Sequence, residues 1–408
     1  MPLDLTQLTS HIEQLSQDFV GDEYRQKLKI ARHLLRDIDP EQLRDKYRWR
    51  RRQKERAVPW LEAFVPHTLT RTYPQPRLPH NFGVAAADGS DIPPDRHSPV
   101  HFCIINTGRV WLQYGDRPAA EMSTHAEMLY AEDLWLIGDE EDKYLEREIE
   151  GSLLAVRRSV EEMCALWSLC QNRHVPMVAL DDGQLILWQI QSEARAIREQ
   201  VLEPFLDALD HFRRAKIPVA SYISNTRAQD VVNALRAFVC QSTPIKCDNC
   251  RCLPELRLQS LALKDVRDYQ VFPCKREPAM EPETIVLRDG ERTDVFETET
   301  PILRDYREHR IQFFYLNVGG EIARIEAPQW VMREQAMLDL VHAVIVDQCR
   351  RSVSYPPYPP ALQEAHEQAV ISTGDRRIIE QMVEEALQRQ GTVYVRGAKD
   401  RSKRVRTV

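Results

Sequence analysis

Apolar positions change their spacing several times along the chain, and each change predicts a different kind of element. In the first 57 residues they recur every three to four positions, which predicts amphipathic helices. From about residue 80, short apolar runs predict strands, and longer helical patterns alternate with them further on. This alternation indicates an α/β fold with parallel strand pairing in the second half of the chain.

Two of the predicted strands run into aspartate followed by glycine. Residues 84–87 precede Asp88-Gly89-Ser90, and residues 177–180 precede Asp181-Asp182-Gly183. We expect both strands to stop there, because glycine lets the chain turn away from the sheet. Carboxylates at two strand ends of an α/β sheet suggest metal-ion chemistry, whereas the alternative for each motif alone is an ordinary β-turn that contains Asp-Gly.

Hairpins and a charged helix are predicted around these strands. Residues 100–105 and 109–114 flank Asn106-Thr107-Gly108, which is typical of a hairpin turn. A second hairpin is predicted around Gly319-Gly320. The pattern from about residue 139 to 171 is helical and carries Glu161 and Glu162 beside its apolar stripe. These glutamates are either solvated surface residues or acids that the helix carries to the strand ends.

The composition excludes several classes of protein. We find no apolar run near the roughly 18 residues of a membrane helix, and the first residues lack the pattern of a secretory signal, so we expect a cytoplasmic protein without membrane contact. Glycine is scarce, with 14 residues, and the sequence has no P-loop, dinucleotide fingerprint or G-x-S-x-G elbow. The net charge of −7 does not by itself indicate nucleic-acid binding.

One segment, residues 44–56, is nevertheless locally basic and has Tyr47 and Trp49 interleaved. It is either a solvated helix face or an arm that binds DNA phosphates while its aromatic rings stack on bases. The candidate DNA-binding residues are Arg48, Arg50, Arg51 and Arg52.

Cysteines are concentrated where the strand–helix alternation breaks, between residues 240 and 300. In a chain without an export signal, such a cluster predicts zinc or iron–sulfur ligands. The spacing fits no specific motif, so free thiols are the alternative. The candidates for this second metal site are Cys240, Cys247, Cys250, Cys252 and Cys274.

The order of several motifs resembles the NurA nuclease family over about residues 80–375. The motifs are Ala87-Asp88-Gly89-Ser90, a helix glutamate, Leu180-Asp181-Asp182-Gly183-Gln184-Leu185, and Tyr358-Pro359 with His366 eight residues after the tyrosine. Supporting stretches are Ser221-Tyr222-Ile223-Ser224, Phe313-Phe314-Tyr315-Leu316 and Arg324-Ile325-Glu326-Ala327-Pro328. The resemblance implies an RNase H-like mixed sheet flanked by helices, manganese-dependent DNA cleavage, a toroidal homodimer and a HerA-type hexameric ATPase as partner.

The resemblance also implies which acids bind metal. Asp88 matches the first aspartate of the family, and Asp182 matches the second because Gly-Gln-Leu follows it, as in the family's Asp-Gly-x-Leu pattern. Asp181 is the alternative to Asp182. Glu161 is the expected helix glutamate, and Glu162 is its alternative.

Tyr358 and His366 match the family's C-terminal tyrosine and histidine. The resemblance therefore implies two Mn²⁺ (or Mg²⁺) ions held by carboxylates and the imidazole of His366, while Tyr358 positions the scissile phosphate or its water. Oxygen ligands with one added imidazole suit manganese, and paired divalent ions stabilise phosphodiester hydrolysis. The expected catalytic set is Asp88, Glu161, Asp182, Tyr358 and His366, with Glu162 as a further metal ligand.

The expected function is thus a metal-dependent exo- or endonuclease that processes DNA ends in double-strand break repair with a HerA-type ATPase. The alternative is a non-catalytic DNA-binding or scaffold subunit of the same fold, which is disfavoured because every ligand position is filled. An RNase H-like resolvase or ribonuclease is a third hypothesis. The expected divisions are a helical arm and linker over 1–72, the nuclease domain over 73–390 with its cysteine-containing excursion at 240–300, and a basic tail over 391–408.

Overall fold

A mixed β-sheet lies at the centre of the protein, with helices on both faces, in a computed structural model of the chain. The structure describes residues 5–20, 22–39, 41–45, 63–64, 69–95, 100–138, 146–240, 263–275, 280, 284–298 and 300–391. Arg48, Arg50, Arg51 and Arg52 lie outside these residues, as do Cys247, Cys250, Cys252 and the predicted tail after residue 391. Among the described residues, no helix is both long enough and apolar enough to cross a membrane.

The strands are numbered in chain order. They are β1 (Ala63–Phe64), β2 (Thr72–Tyr73), β3 (Phe82–Ile92), β4 (Phe102–Tyr114), β5 (Ala119–Tyr130), β6 (Trp135–Ile137), β7 (Glu146–Glu148), β8 (Met177–Asp182), β9 (Val219–Ile223), β10 (Arg292–Thr293), β11 (Phe296–Thr298), β12 (Ile311–Asn317) and β13 (Ile322–Pro328).

The α-helices are numbered in the same way. They are α1 (Thr9–Val20), α2 (Asp22–Asp37), α3 (Ser152–Cys170), α4 (Arg195–Ala215), α5 (Asp230–Val239), α6 (Asp268–Val271), α7 (Gln329–Arg333), α8 (Gln335–Arg351), α9 (Pro360–Ala369) and α10 (Thr373–Arg389). Short 3-10 helices cover Leu5–Leu8, Ala131–Leu134, Trp188–Ile190, Leu263–Asp265 and Pro301–Arg304.

The sheet combines antiparallel and parallel pairing. Its order is β1-β11-β12-β13-β9-β8-β3-β4-β5, with β2 and β10 paired beside β12. The first half is an antiparallel meander of β3, β4 and β5, and β8 then lies parallel to β3, and β9 parallel to β8. Three antiparallel strands followed by two parallel ones form the RNase H-like arrangement, so the predicted fold class is confirmed.

Each face of the sheet is buried under its own helices. On one face, Ala85, Ala87 and Ala179 pack against α3 and α4. On the other, Ala86 and Leu180 pack against α8 and α9. Because successive side chains of a strand point to opposite faces, the two cores share the same strands, and residues at the strand ends are delivered alternately to the α3 side and to the α9 side.

The predicted hairpin at residues 106–108 is wrong. Strand β4 continues through Asn106-Thr107-Gly108 and pairs with β3 on one side and β5 on the other. The chain instead turns at residues 115–118, where Gly115 has a φ of +105°. Gly108 is needed for space, since a Cβ there would lie 2.1 Å from the carbonyl oxygen of Ala365 on α9.

Two further boundaries differ from expectation. The helix predicted from about residue 139 begins only at Ser152, because Glu146–Glu148 form β7 and pair with β6; residues 139–145 are outside the described part. Strand β3 does not end at Asp88 but continues to Ile92, still paired with β4. By contrast, the hairpin around Gly319-Gly320 is confirmed, with positive φ at both glycines.

Candidate active site

The predicted aspartates lie on neighbouring strands. In the parallel pair of β3 and β8, Ala87 is opposite Asp181. The next residues, Asp88 and Asp182, therefore point together to the α9 side of the sheet, while Asp181 points to the α3 side. Asp182 is the last residue of its strand, and the chain turns away through Gly183 at a φ of +132°, which favours glycine.

The C-terminal tyrosine and histidine contact these two aspartates. The Nδ1 atom of His366 lies 2.6 Å from Oδ2 of Asp88. The hydroxyl of Tyr358 donates a hydrogen bond to Asp182, and its ring packs edge-on against Tyr222 at a centroid distance of 5.4 Å. Four of the predicted site residues, separated by up to 278 positions along the chain, are thus brought together.

Helix α9 can carry His366 to Asp88 because it lies almost on the strand backbone. Gly108 is the residue opposite Asp88 in β4 and leaves room for the helix. The side chain of Asn106 donates to the carbonyl oxygen of Ala369 at 2.8 Å, and the hydroxyl of Ser90 donates to the same oxygen. Polar side chains of β3 and β4 therefore fix the C-terminal end of the helix.

The structure places Glu162, rather than Glu161, beside the aspartates. Glu162 is buried, and this burial acts most strongly on its pKa, followed by the charges of Asp181 and Arg158. Glu161 points to the outer strands, where it pairs with Arg157 at 2.7 Å and lies near Glu127. The two glutamates are adjacent in sequence, and sequence spacing does not determine which helical position faces the strand ends.

Gly89 makes room for this glutamate. A Cβ at that position would lie 2.6 Å from Oε1 of Glu162 and 2.6 Å from Cγ of Arg158. The Asp-Gly motif predicts a turn out of the sheet, but Gly89 remains within β3 and lets α3 approach the strand beside Asp88. The same motif thus serves close packing instead of a turn.

Burial and mutual repulsion raise the proton affinity of the acid cluster. Burial, followed by the charges of Asp182 and Asp88, raises the pKa of Asp181 to about 8. The pKa of Glu162 is raised well above its usual range by burial and then by Asp181. The pKa of Asp182 is raised by burial, against the hydrogen bond from Tyr358, and burial beside Asp182 raises the pKa of Tyr358.

This donor set fits a divalent cation in charge and ligand type. Carboxylates packed against one another are stabilised by a cation that offsets their repulsion, and oxygen ligands suit Mg²⁺ or Mn²⁺. Atom Oδ1 of Asp181 is buried and has no hydrogen-bond partner among the described residues. As they are placed, no three Asp, Glu, His or Cys side chains in the described part of the chain form a metal-ligand group.

Sequence reasoning gave no role to two further charged residues near the cluster. Arg158 pairs with Asp91 at 2.8 Å and with Glu162 at 3.4 Å, so it is a cation that contacts the cluster on the α3 side. Glu326 on β13 is 1% exposed and contributes to the raised pKa of Asp181. The sequence does contain a signal for Glu326. Arg324 and Glu326 interrupt an apolar strand at alternate positions, and charged residues are rarely buried without a partner.

Of the five cysteines of the predicted second metal site, Cys240 and Cys274 lie among the described residues. They lie at the two ends of the predicted site, and Cys274 packs against the core formed by α2, α5 and β12. Neither forms part of a metal-ligand group with other described residues.

The strand order and the acids at one sheet edge define an RNase H-like α/β protein. The family model described as NurA domain matches residues 82–371, and the chain belongs to the NurA family. It is therefore a member of a nuclease family. No curated protein sequence matches the chain.

Two solved structures are similar to the chain. One is the NurA nuclease from Sulfolobus solfataricus, with 12% sequence identity and a TM-score of 0.43 over 78% of this chain and 88% of that chain. The other is LC9-RNase H1, a type 1 RNase H with the type 2 active-site motif, with 13% identity and a TM-score of 0.19 over 36% of this chain and 63% of that chain.

Proposed function

We propose that this chain is a divalent-metal-dependent deoxyribonuclease whose active centre is the cluster of Asp88, Asp182, Glu162, Tyr358 and His366. The observation that carries the proposal is the meeting of Asp88 with His366 and of Asp182 with Tyr358 at adjacent strand ends. Membership of a nuclease family supports the same reaction class.

The residues that would hold the metal are the carboxylates of Asp88, Asp182 and Glu162, with Asp181 behind them and His366 at the exposed side. Bound divalent cations supply an activated water and stabilise the charge of the pentacoordinate phosphate. The site suits such cations because its acids repel one another in the metal-free protein and because Arg158 offsets only part of their charge. Manganese is the preferred candidate, since an imidazole accompanies the oxygen ligands.

The protein's own side chains have distinct proposed roles. His366 is 61% exposed on its side chain and can accept or deliver a proton at the mouth of the site while Asp88 orients its ring. Tyr358 stays protonated because burial and Asp182 raise its pKa. Its hydroxyl is then a fixed donor that can orient a phosphate oxygen or a water molecule.

The proposed substrate is DNA, and the proposed context is the processing of DNA ends in double-strand break repair with a HerA-type ATPase. A homodimer is part of the same proposal, with cleavage in the cytoplasm.

The exposed edge of the sheet supports a protein partner. Strand β5 ends the sheet, is exposed along most of its 12 residues, and carries the exposed residues Met122 and Tyr130. Long open edges of this kind favour pairing with another chain.

The test is cleavage of a labelled DNA duplex by the purified protein after metal removal, with and without added Mn²⁺. We expect activity only with the metal, and Asp88→Ala to abolish it while DNA binding in EDTA is retained. Asp116→Ala is the control, because this exposed aspartate pairs with His80 away from the cluster. Cleavage that is indifferent to EDTA, or that survives Asp88→Ala, contradicts the proposal.

The alternative, a non-catalytic DNA-binding or scaffold subunit, predicts DNA binding without cleavage under every metal condition.

Zinc or an iron–sulfur cluster at the cysteine-containing segment is a separate proposal. Elemental analysis of the protein as purified tests it, because zinc or iron should be lost when Cys240 and Cys274 are both replaced by serine.

A further inference from the structure

The chain just after Asp182 returns to the protein core and is held there by side chains from distant parts of the sequence. Gly183 turns the backbone, and Leu185 is fully buried only three residues after the aspartate. A buried segment without regular strand pairing needs partners for its backbone polar groups. The partners in this case are side chains of Glu326 and Tyr306.

Glu326 and Tyr306 together bind three backbone groups of this segment. The N–H of Leu185 donates to Oε2 of Glu326 at 3.1 Å. The hydroxyl of Tyr306 donates to the carbonyl oxygen of Leu185 at 3.0 Å and accepts from the N–H of Leu187 at 2.8 Å. Glu326 is 1% exposed and Tyr306 is 0% exposed, so water does not compete for these hydrogen bonds.

Glu326 is itself fixed by a buried ion pair. Arg324 donates to Oε1 of Glu326 at 2.9 Å and to Oδ2 of Asp230 at 3.1 Å, and its guanidinium lies over the ring of Phe313 at 3.6 Å. Asp230 begins helix α5. The hydrogen bond to Leu185 is therefore anchored in a network that joins β13, β12 and α5.

Glu326 also lies on the same face of the sheet as Asp181, two strands away. Asp181 on β8 is opposite Ser221 on β9, and Ser221 is opposite Glu326 on β13. All three side chains therefore point to the α3 side, where Glu162 also lies. Holding Leu185 thus constrains the short turn that connects the buried segment to Asp182.

We propose that Glu326 and Tyr306 are positioning residues that set the place of Asp181 and Asp182 by clamping residues 185–187. This inference rests on the proposed nuclease function, because it assigns the clamp to the aspartates that would hold the metal. Neither residue touches the reacting groups. Groups that orient metal ligands in this way affect metal affinity or activity by about 10- to 100-fold when removed.

The experiment compares Tyr306→Phe with Tyr73→Phe. The hydroxyl of Tyr73 donates to Oδ1 of Asp294 at 3.4 Å, and its ring lies under the guanidinium of Arg292 on the side of the sheet formed by β2 and β10. We expect Tyr306→Phe to lower kcat and Mn²⁺ affinity by about tenfold or more, with unchanged DNA affinity in EDTA. Tyr73→Phe should keep both at the wild-type level, and Tm is measured for both variants.

Variants at Glu326 give a second measurement. Glu326→Gln retains an acceptor for the N–H of Leu185, whereas Glu326→Ala removes it, so the glutamine variant should recover most of the rate and of the Mn²⁺ affinity that the alanine variant loses. Equal effects of the two tyrosine variants, or wild-type values in Tyr306→Phe, overturn the clamp while the nuclease function stands. If the wild-type protein itself does not cleave, the proposed function fails, and Mn²⁺ affinity measured by calorimetry alone decides for or against the clamp.

Discussion

At the scale of single residues, Asp181 is the side chain whose charge state differs most clearly from that of an ordinary aspartate. Its pKa is raised to about 8, first by burial and then by Asp182 and Asp88. In the unfolded chain the usual value of 3.8 applies. Between these two values the folded metal-free protein binds a proton that the unfolded chain releases. The contribution of this residue to the free energy of unfolding is therefore fully present below about pH 4 and is lost as the pH rises towards 8.

Replacing Asp181 with asparagine should remove this dependence. We expect the Tm of the metal-free Asp181→Asn variant to fall less between pH 5 and pH 8 than that of the wild type, because the amide does not ionise. Calorimetry in EDTA across this range measures the difference. Asp116→Asn is the control, since that exposed carboxylate has a lowered pKa owing to Asn81 and His80. Parallel curves for the wild type and Asp181→Asn would contradict the assigned charge state.

At the scale of elements, the placement of α9 on β4 determines whether His366 reaches Asp88. Gly108 permits this placement, because a Cβ there would meet the backbone of α9 at 2.1 Å from the oxygen of Ala365 and 2.6 Å from the nitrogen of Ala369. These are backbone atoms of a helix, so the contact cannot be relieved by a change of rotamer.

We expect Gly108→Ala to push α9 away from the sheet, with a loss of about 1–3 kcal/mol in the free energy of unfolding. The cleavage rate should fall by more than the loss of folded protein explains, because His366 moves with the helix. Urea unfolding and cleavage rates measure the two effects. Gly374→Ala is the matched control, since the nearest atom to its added Cβ is the hydroxyl oxygen of Ser372 at 3.3 Å. A Gly108→Ala protein with wild-type stability and rate would show that the helix tolerates the methyl group.

The alternation of strands and helices was predictable from the sequence, because apolar periodicity reports which face of an element is buried. The end of β3, the continuity of β4 and the start of α3 were not. The turn after Asp182 followed from the glycine at position 183, where a positive φ is required. Gly89 and Gly108 were interpreted as turn residues and proved to be sites of close helix approach. A glycine that is needed for space has the same local sequence as one that is needed for its backbone conformation, so only tertiary packing separates the two cases.

The same limit applies to the candidate site. Asp88, Asp182, Tyr358 and His366 were named from the sequence through the family resemblance, and the structure brings them together. The choice of Glu162 depends on the rotation of α3 about its axis, which places it and not its neighbour beside Asp181. That rotation is fixed by packing of the whole helix face and is not encoded by the two glutamates themselves.

At the scale of the whole molecule, a chain of net charge −7 must bind a polyanion if it cleaves DNA. A local basic surface can do this despite the overall charge. The basic segment at residues 44–56 is the candidate, and in a dimer two such segments would add their potentials around a shared path for DNA.

Replacing Arg48, Arg50, Arg51 and Arg52 with glutamine should weaken DNA binding and make its salt dependence shallower. The slope of log K against log salt should lose about 0.7–0.9 for each phosphate contact removed. Fluorescence anisotropy at several salt concentrations measures both quantities. The control carries four glutamine substitutions at exposed positions of α4 and its C-terminal end, which are Arg195, Arg213, Arg214 and Lys216. Equal slopes in the wild type and the arginine variant would exclude this segment as the phosphate contact.

The adjacent aspartates at the end of β8 give the sheet edge a form of redundancy. Asp182 meets the tyrosine and histidine from one layer of helices, and Asp181 meets the glutamate from the other. A slip of one residue between β8 and β3 would move one aspartate into the place of the other, because such a slip turns every side chain of a strand to the opposite face. One of the two places would then still hold an acid, whereas the same error in strand pairing would empty a site built on a lone aspartate.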